Sequence, residues 1–173
     1  MNRTRLRSNI GLVMDDGSCY HSPTLGKLSF KEVVDEVLAM MSAAPEDPYE
    51  VVVGTDSQTY CDEVEYVSAI VVHRVGRGGR YFWRRIKDDR PISLRERIYR
   101  EAWLSYETAE DVIGALKDRG VSGFQLEIHV DIGRNGRTRD LVEEVVGMIL
   151  GVGFRVRTKP EAYAASAVAD RYT

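Results

Sequence analysis

The chain has 173 residues, a net charge of −3 at pH 7, 43% hydrophobic residues and 29% charged residues. These values predict one soluble globular domain with a sizeable core. No apolar run is long enough to cross a bilayer, and residues 1–7 lack the hydrophobic stretch of a signal peptide, so we expect no membrane partner. Cys19 and Cys61 have no metal-site spacing, which favours reduced thiols and a cytoplasmic location.

Charge is distributed unevenly along the chain. Residues 31–66 are strongly acidic, whereas residues 74–100 are rich in arginine. The planar guanidinium group can bind a phosphate through two parallel hydrogen bonds. The basic segment is therefore a candidate nucleic-acid-binding surface, and an ordinary solvated face is the alternative.

Residues 1–48 are predicted to be an N-terminal extension that packs on a core domain of residues 49–173. Residues 1–28 show little periodicity and are expected to be irregular. Ser29 and Glu32 have the spacing of a capping box, which predicts a helix from that point. Pro45 and Pro48 end this helix.

Three consecutive strands follow. Residues 49–54 form a short valine-rich run, as in a strand buried on both faces. Residues 64–73 and 80–87 are rich in β-branched and aromatic residues and are predicted to be the second and third strands. The glycines of residues 76–79 lie between two strands and not before a helix, so they indicate a hairpin turn and not a phosphate loop.

The second half of the chain alternates helices and strands. Ser93 and Glu96 form a second capping box, which begins a helix that reaches about Gly120. Residues 124–130 and 154–158 are predicted strands, separated by a helix over 141–149 that Thr138 could cap. An alanine-rich helix follows Pro160.

This order predicts an α/β fold with a mixed five-stranded sheet and helices on both faces. Three antiparallel strands come first, and parallel strands follow because a helical crossover joins them. The crossover would place residues 124–130 beside and parallel to residues 49–54. Asp56 and Asp131 would then lie near the carboxyl ends of adjacent strands, where open α/β sheets form their sites.

Four acidic residues are the candidate functional residues: Asp56, Glu101, Asp131 and Asp170. Burying a lone carboxylate is costly, and a divalent cation would offset that cost. Each acid also has an ordinary interpretation. Asp56 and Asp131 could form turns, Glu101 could pair with Arg97, and Asp170 could pair with a nearby base.

The order of elements and the four acids resemble the RNase H-like superfamily. The segments Gly-Thr-Asp-Ser-Gln, Val-Val-His-Arg, His-Val-Asp-Ile-Gly-Arg-Asn-Gly and Thr-Lys-Pro-Glu-Ala-Tyr-Ala-Ala-Ser are more closely similar to the YkuK family of bacterial RNase H-like proteins. Residues 22–30 match that family as well, so the resemblance covers nearly the whole chain. It implies that the four acids are catalytic residues and metal ligands.

The resemblance implies a nuclease that hydrolyses phosphodiester bonds with two Mg²⁺ or Mn²⁺ ions, roughly 4 Å apart. Asp56 would bridge the ions, Glu101 and Asp131 would bind on one side, and Asp170 on the other. The nucleic-acid partner, RNA or DNA, stays open, because Asp56-Ser57-Gln58 departs from the Asp-Gly-Ser common in true ribonucleases H. The candidate substrate-binding residues are Lys159, His129, Arg134 and Asn135.

The alternative is a non-catalytic RNase H-like domain that binds nucleic acid through residues 74–100, since fold does not determine function. A nucleotide-binding ATPase half is disfavoured, because no glycine-rich phosphate loop precedes a helix.

Overall fold

A computed structural model describes residues 12–13, 19–60, 63–90, 92–133, 139–162 and 164–172. Within these ranges the strands are β1 (Leu12–Val13), β2 (Cys19–Ser22), β3 (Gly26–Ser29), β4 (Tyr49–Tyr60), β5 (Glu63–Arg74), β6 (Gly78–Asp88), β7 (Gln125–His129) and β8 (Arg155–Arg157). The helices are α1 (Phe30–Ser42), α2 (Leu94–Asp118), α3 (Val142–Gly151) and α4 (Ala164–Asp170), and a 3₁₀ turn covers Arg139–Leu141. None of the described helices is long and apolar enough to cross a membrane.

The described strands form one mixed sheet, in the order β3-β2-β6-β5-β4-β7-β8, with β1 also paired to β6. Strands β4, β5 and β6 form the antiparallel meander, and β7 and β8 add in parallel. This arrangement confirms the predicted α/β fold with antiparallel strands followed by parallel ones.

Helices cover both faces of the sheet. The main core lies between one face and helices α1, α2 and α3, where Val53 packs with Val37, Ala102 and Val145. Helix α4 lies on the opposite face, where its Ala169 packs with residues of β5. Both predicted capping boxes are present, at the start of α1 and of α2.

Strand β4 is longer than predicted. It continues to Tyr60 instead of ending at Gly54, because β5 pairs with it along its whole length. Strand β7 pairs only with Glu50–Gly54. The second half of β4 therefore has a neighbour on one side and an open edge on the other. The proposed cap Thr138 and the second cysteine, Cys61, lie outside the described residues.

The expectation of an irregular segment over residues 1–28 was wrong for Cys19–Ser22 and Gly26–Ser29. These residues form a hairpin that extends the sheet at β6, where His21 pairs with Trp83. The sheet thus has more strands than the five predicted. Strands of four residues are too short to show a clear alternation in sequence, which is why the pattern missed them.

Tyr20 tests whether this hairpin belongs to the core, since its side chain is only 2% exposed. We expect Tyr20→Ala to lower the free energy of unfolding by about 3 kcal/mol, because a large buried aromatic side chain is lost. Chemical denaturation measures the change. Leu25→Ala, in the exposed turn of the same hairpin, should change stability by less than about 0.5 kcal/mol. Equal, small effects of both substitutions would show that the hairpin is peripheral.

Candidate metal centre

The parallel register of β4 and β7 places two of the four acids side by side. Gly54 pairs with His129, and this is the last pair of the ladder. Asp56 and Asp131 each lie two residues further along, so both follow the face of that pair. The chain after β7 stays extended, because the Val130 N–H donates to the Arg157 carbonyl. Asp56 is therefore at the end of the β4–β7 ladder, although it is inside β4 and not at its end as predicted.

Glu101 reaches the same place from helix α2. Its side chain is buried, and it accepts a hydrogen bond of 2.5 Å from the Ser57 hydroxyl. Ser57 follows Asp56 directly and so projects to the α2 face of the sheet. Because β7 ends at His129, no strand separates Glu101 from Asp56 at this edge. Burial raises the pKa of Glu101 to about 8, and the charges of Asp56 and Asp131 act in the same direction.

Asp56 is the electrostatic centre of the group. Burial is the main cause that raises the pKa of Asp56 to about 6. The negative charges of Asp131 and Asp170 act in the same direction, and the Ser57 backbone N–H and Arg97 act against it. Each of the other three acids thus interacts with Asp56. All three lie within electrostatic range of it. We call the four predicted acids the acid cluster: Asp56, Glu101, Asp131 and Asp170.

Asp170 is exposed at the end of α4, and the residues after it hold that helix on the sheet. The Tyr172 ring stacks on Trp83 with 4.4 Å between ring centroids. The Tyr172 hydroxyl forms a hydrogen bond of 3.0 Å with the Tyr81 hydroxyl, and the Tyr172 carbonyl accepts two hydrogen bonds from Arg85. This contact, the Tyr172 clamp, restrains the helix end that carries Asp170.

Two cations border the acid cluster. Lys159 Nζ lies 2.8 Å from Asp131 Oδ1, and Asp131, together with Asp56 and Asp170, raises the pKa of Lys159. Arg97 lies on the α2 side, where it donates to the Thr59 hydroxyl at 2.8 Å. Lys159 was predicted near the site. Arg97 and Ser57 were not predicted to belong to the site. Their positions could have suggested both, because Arg97 lies four residues before Glu101 and Ser57 directly follows Asp56.

His129 lies on the face of the sheet that carries Asp56, but the carboxylate beside its ring belongs to Glu127 and not to the acid cluster. Its side chain is buried, and its Nε2 is 3.6 Å from Glu127 Oε2. Burial lowers the pKa of His129, which favours the neutral ring. The other two candidate substrate-binding residues, Arg134 and Asn135, lie outside the described residues.

The arginines of residues 74–100 do not form one continuous basic surface. Alternation along β6 sends successive side chains to opposite faces of the sheet. Many of them are also engaged in ion pairs, which are Arg74–Asp47, Arg80–Glu36, Arg85–Glu65, Arg90–Asp88 and Arg95–Glu144. Much of the basic segment therefore stabilises the fold.

The donor chemistry of the acid cluster suits a hard divalent cation, since all four side chains supply carboxylate oxygens. Within the described residues, no three His, Cys, Asp or Glu side chains are already placed around one metal position. Glu101 is hydrogen-bonded to Ser57, and Asp131 forms an ion pair with Lys159. These side chains would have to turn towards a shared ion. Burial, and to a lesser extent the neighbouring carboxylates, raises the pKa values of Asp56 and Glu101, so their charged forms are unfavourable without a cation.

Comparison with known proteins identifies the family of the chain. The model of the family described as Ribonuclease H-like matches residues 32–173. The chain belongs to this family. It is also 34% identical over 175 residues to the Bacillus subtilis (strain 168) protein named "Uncharacterized protein YkuK", covering 92% of this chain and 99% of that one. This similarity confirms the resemblance to the YkuK group of RNase H-like proteins. No solved structure matches the chain at a significant level.

The buried Glu101 predicts a stability that depends on pH. Its pKa is near 8 in the folded state against an ordinary 4.5, so the folded state holds the proton more tightly. Stability from this group is complete below about pH 4.5 and is lost as the pH rises towards 8. In EDTA at pH 8.5, Glu101→Gln should therefore be more stable than the wild type by on the order of 2 kcal/mol. At pH 5 the difference should be small.

Denaturant unfolding at the two pH values measures this effect. Glu107→Gln is the matched control, because Glu107 is exposed on the same helix. If Glu101→Gln stabilised the protein equally at pH 5 and pH 8.5, the raised pKa of Glu101 would be contradicted.

The Tyr172 clamp predicts a second effect. Trp83→Ala removes the ring on which Tyr172 stacks, and should lower stability by about 2 kcal/mol because the ring is half-buried. Amide hydrogen exchange over residues 164–172 should become faster than in the rest of the sheet. Trp103→Ala is the control, since Trp103 is 44% exposed on α2. Unchanged exchange in α4 would show that the clamp does not hold the helix.

Proposed function

We propose that the protein is a divalent-metal-dependent nuclease that hydrolyses phosphodiester bonds of nucleic acid. The observation that supports this proposal is the acid cluster, in which Asp131, Asp170 and Glu101 all interact electrostatically with Asp56 at the end of the β4–β7 ladder. A fold gains nothing in stability from gathering like charges, so such an arrangement suggests a function. Membership of the ribonuclease H-like family supports the same reaction class.

Each acid has a role that follows from its position. Asp56 interacts with all three others and is the best candidate to bridge two ions. Asp131 and Glu101 would hold one side and Asp170 the other. When bound, Mg²⁺ or Mn²⁺ would lower the pKa of an attacking water and stabilise charge on the leaving oxygen. The Ser57 hydroxyl keeps Glu101 oriented, as outer hydrogen bonds commonly do for metal ligands.

Lys159 supplies the positive charge nearest to the cluster. In the free protein it neutralises Asp131. If Asp131 serves as a metal ligand, the ammonium group of Lys159 would no longer be neutralised by it and could bind a phosphate. Lys159 would then bind a substrate oxygen, and Arg97 would limit the negative potential on the α2 side.

The non-catalytic alternative is less well supported. It relies on the arginines of residues 74–100, many of which are paired with carboxylates of this chain. It also gives no purpose to the acid cluster, which would repel a phosphate in the absence of cations.

The decisive substitution is Asp56→Asn, which keeps the size of the side chain and removes its charge. We expect Mn²⁺-dependent cleavage to fall by more than about 100-fold, because the proposed bridging ligand is lost. The fold, checked by circular dichroism, should be retained. Single-stranded DNA, duplex DNA, RNA and RNA/DNA hybrids are the substrates to compare.

Asp118→Asn is the matched control, because Asp118 is exposed at the far end of α2. It should cleave like the wild type. Equal turnover by wild type and Asp56→Asn, or no turnover by the wild type on any substrate with Mn²⁺, would refute the proposed function.

A further inference from the structure

A second concave site lies on the face of the sheet that carries Asp56 and Asp131. It is a cleft of about 480 Å³, a size suited to a small ligand. Val52 and Val71 from β4 and β5 line its floor. Arg157, the last residue of β8, and Glu161 form one wall. The glycines at the start of β6 form the opposite side. We call it the sheet-face cleft, and no acid of the cluster lines it.

His129 is the polar group that marks this cleft as a binding site. It lines the cleft, yet the residue is only 4% exposed. Neither Nδ1 nor Nε2 has a hydrogen-bond partner among the described residues. The nearest carboxylate, of Glu127, is 3.6 Å away, which is too long for a hydrogen bond. Buried polar groups are normally satisfied, so an unpartnered imidazole in a cleft indicates a ligand that pairs with it.

The charges around the cleft restrict the chemistry of that ligand. Glu50, Glu127 and Glu161 supply carboxylate acceptors. Of the two arginines that line it, Arg157 is paired with Glu127 and Arg80 with Glu36. A phosphate would be repelled here, whereas an uncharged ring with N–H donors would be accepted. The apolar floor formed by two valines suits the flat face of such a ring.

The distance to the acid cluster fits a nucleotide. His129 precedes Asp131 by two residues on the same face, which is about 7 Å along an extended chain. This is close to the length of one nucleotide in an extended strand. A phosphate at the acid cluster would therefore place the adjoining base at the cleft.

We propose that the sheet-face cleft binds the nucleobase next to the scissile phosphate, and that it favours bases with an exocyclic amino group. Adenine, cytosine and guanine can donate to the carboxylates, whereas uracil and thymine offer a single ring N–H and two carbonyl acceptors. The placement of this base next to the scissile phosphate rests on the proposed nuclease function. The binding itself is independent of cleavage.

The test is direct binding of adenosine, cytidine, guanosine and uridine to the full-length protein, followed by NMR of the histidine imidazole signals. We expect the three amino-bearing nucleosides to shift the His129 signals and to bind at least about 5-fold more tightly than uridine. His129→Ala should weaken that binding about 10-fold, as for one lost hydrogen bond. His21→Ala is the control, because His21 stacks on Trp83 away from the cleft.

His129→Asn keeps a donor and an acceptor at this position and should retain part of the preference, which guards against misfolding of the alanine variant. Equal binding of uridine and cytidine, or an affinity for the amino-bearing nucleosides that is unchanged in His129→Ala, would overturn the inference. Cleavage of nucleic acid without any nucleoside binding would also overturn the inference, but it would leave the proposed nuclease function intact. Nucleoside binding without cleavage would support the cleft and refute the nuclease.

Discussion

The burial of Asp56 and Glu101, two acids with further carboxylates near them, is the constraint on which the rest of this structure depends. Asp56 has three acidic neighbours, and the pKa values of Asp56 and Glu101 are raised to about 6 and about 8. The packing of the domain must offset this cost. Val53 lies three residues before Asp56 and is fully buried. Ala102, which directly follows Glu101, is fully buried as well. Asp56 and Glu101 are thus attached to well-packed parts of the core, which hold them in place against this cost.

The short β7 strand is what allows acids from opposite faces to meet. Side chains on two faces of a sheet are normally separated by the sheet itself. Here β4 continues six residues beyond its last pair with β7, from Gly54 to Tyr60, so that one edge is open. Glu101 approaches this edge from the α2 face, through Ser57, and Asp170 approaches from the α4 face. A longer β7 would pair with the second half of β4 and separate the acids on one face of the sheet from those on the other.

The sequence was sufficient for the elements with strong periodicity and clear caps. Ser29 and Ser93 predicted both capping boxes, and the valine run before Asp56 predicted the central strand. The β2–β3 hairpin was missed because it is held by tertiary contacts of Tyr20, which leave no local pattern. The acids could be chosen from their positions at strand ends and on helices, together with the family resemblance. Ser57, the Tyr172 clamp and the sheet-face cleft depend on which distant residues meet, and no spacing in the chain reveals this.

The acidic character of the protein has a consequence for how it would bind nucleic acid. The chain has a net charge of −3, and many arginines of residues 74–100 are neutralised within the fold. General attraction to phosphates, which depends on many free cations, is therefore weak. On the proposed function, divalent ions at the acid cluster supply the attraction that the surface lacks, and Lys159 adds to it once Asp131 is engaged. Affinity and chemistry would then depend on the same ions, so that nucleic acid is held tightly only where it can be cleaved.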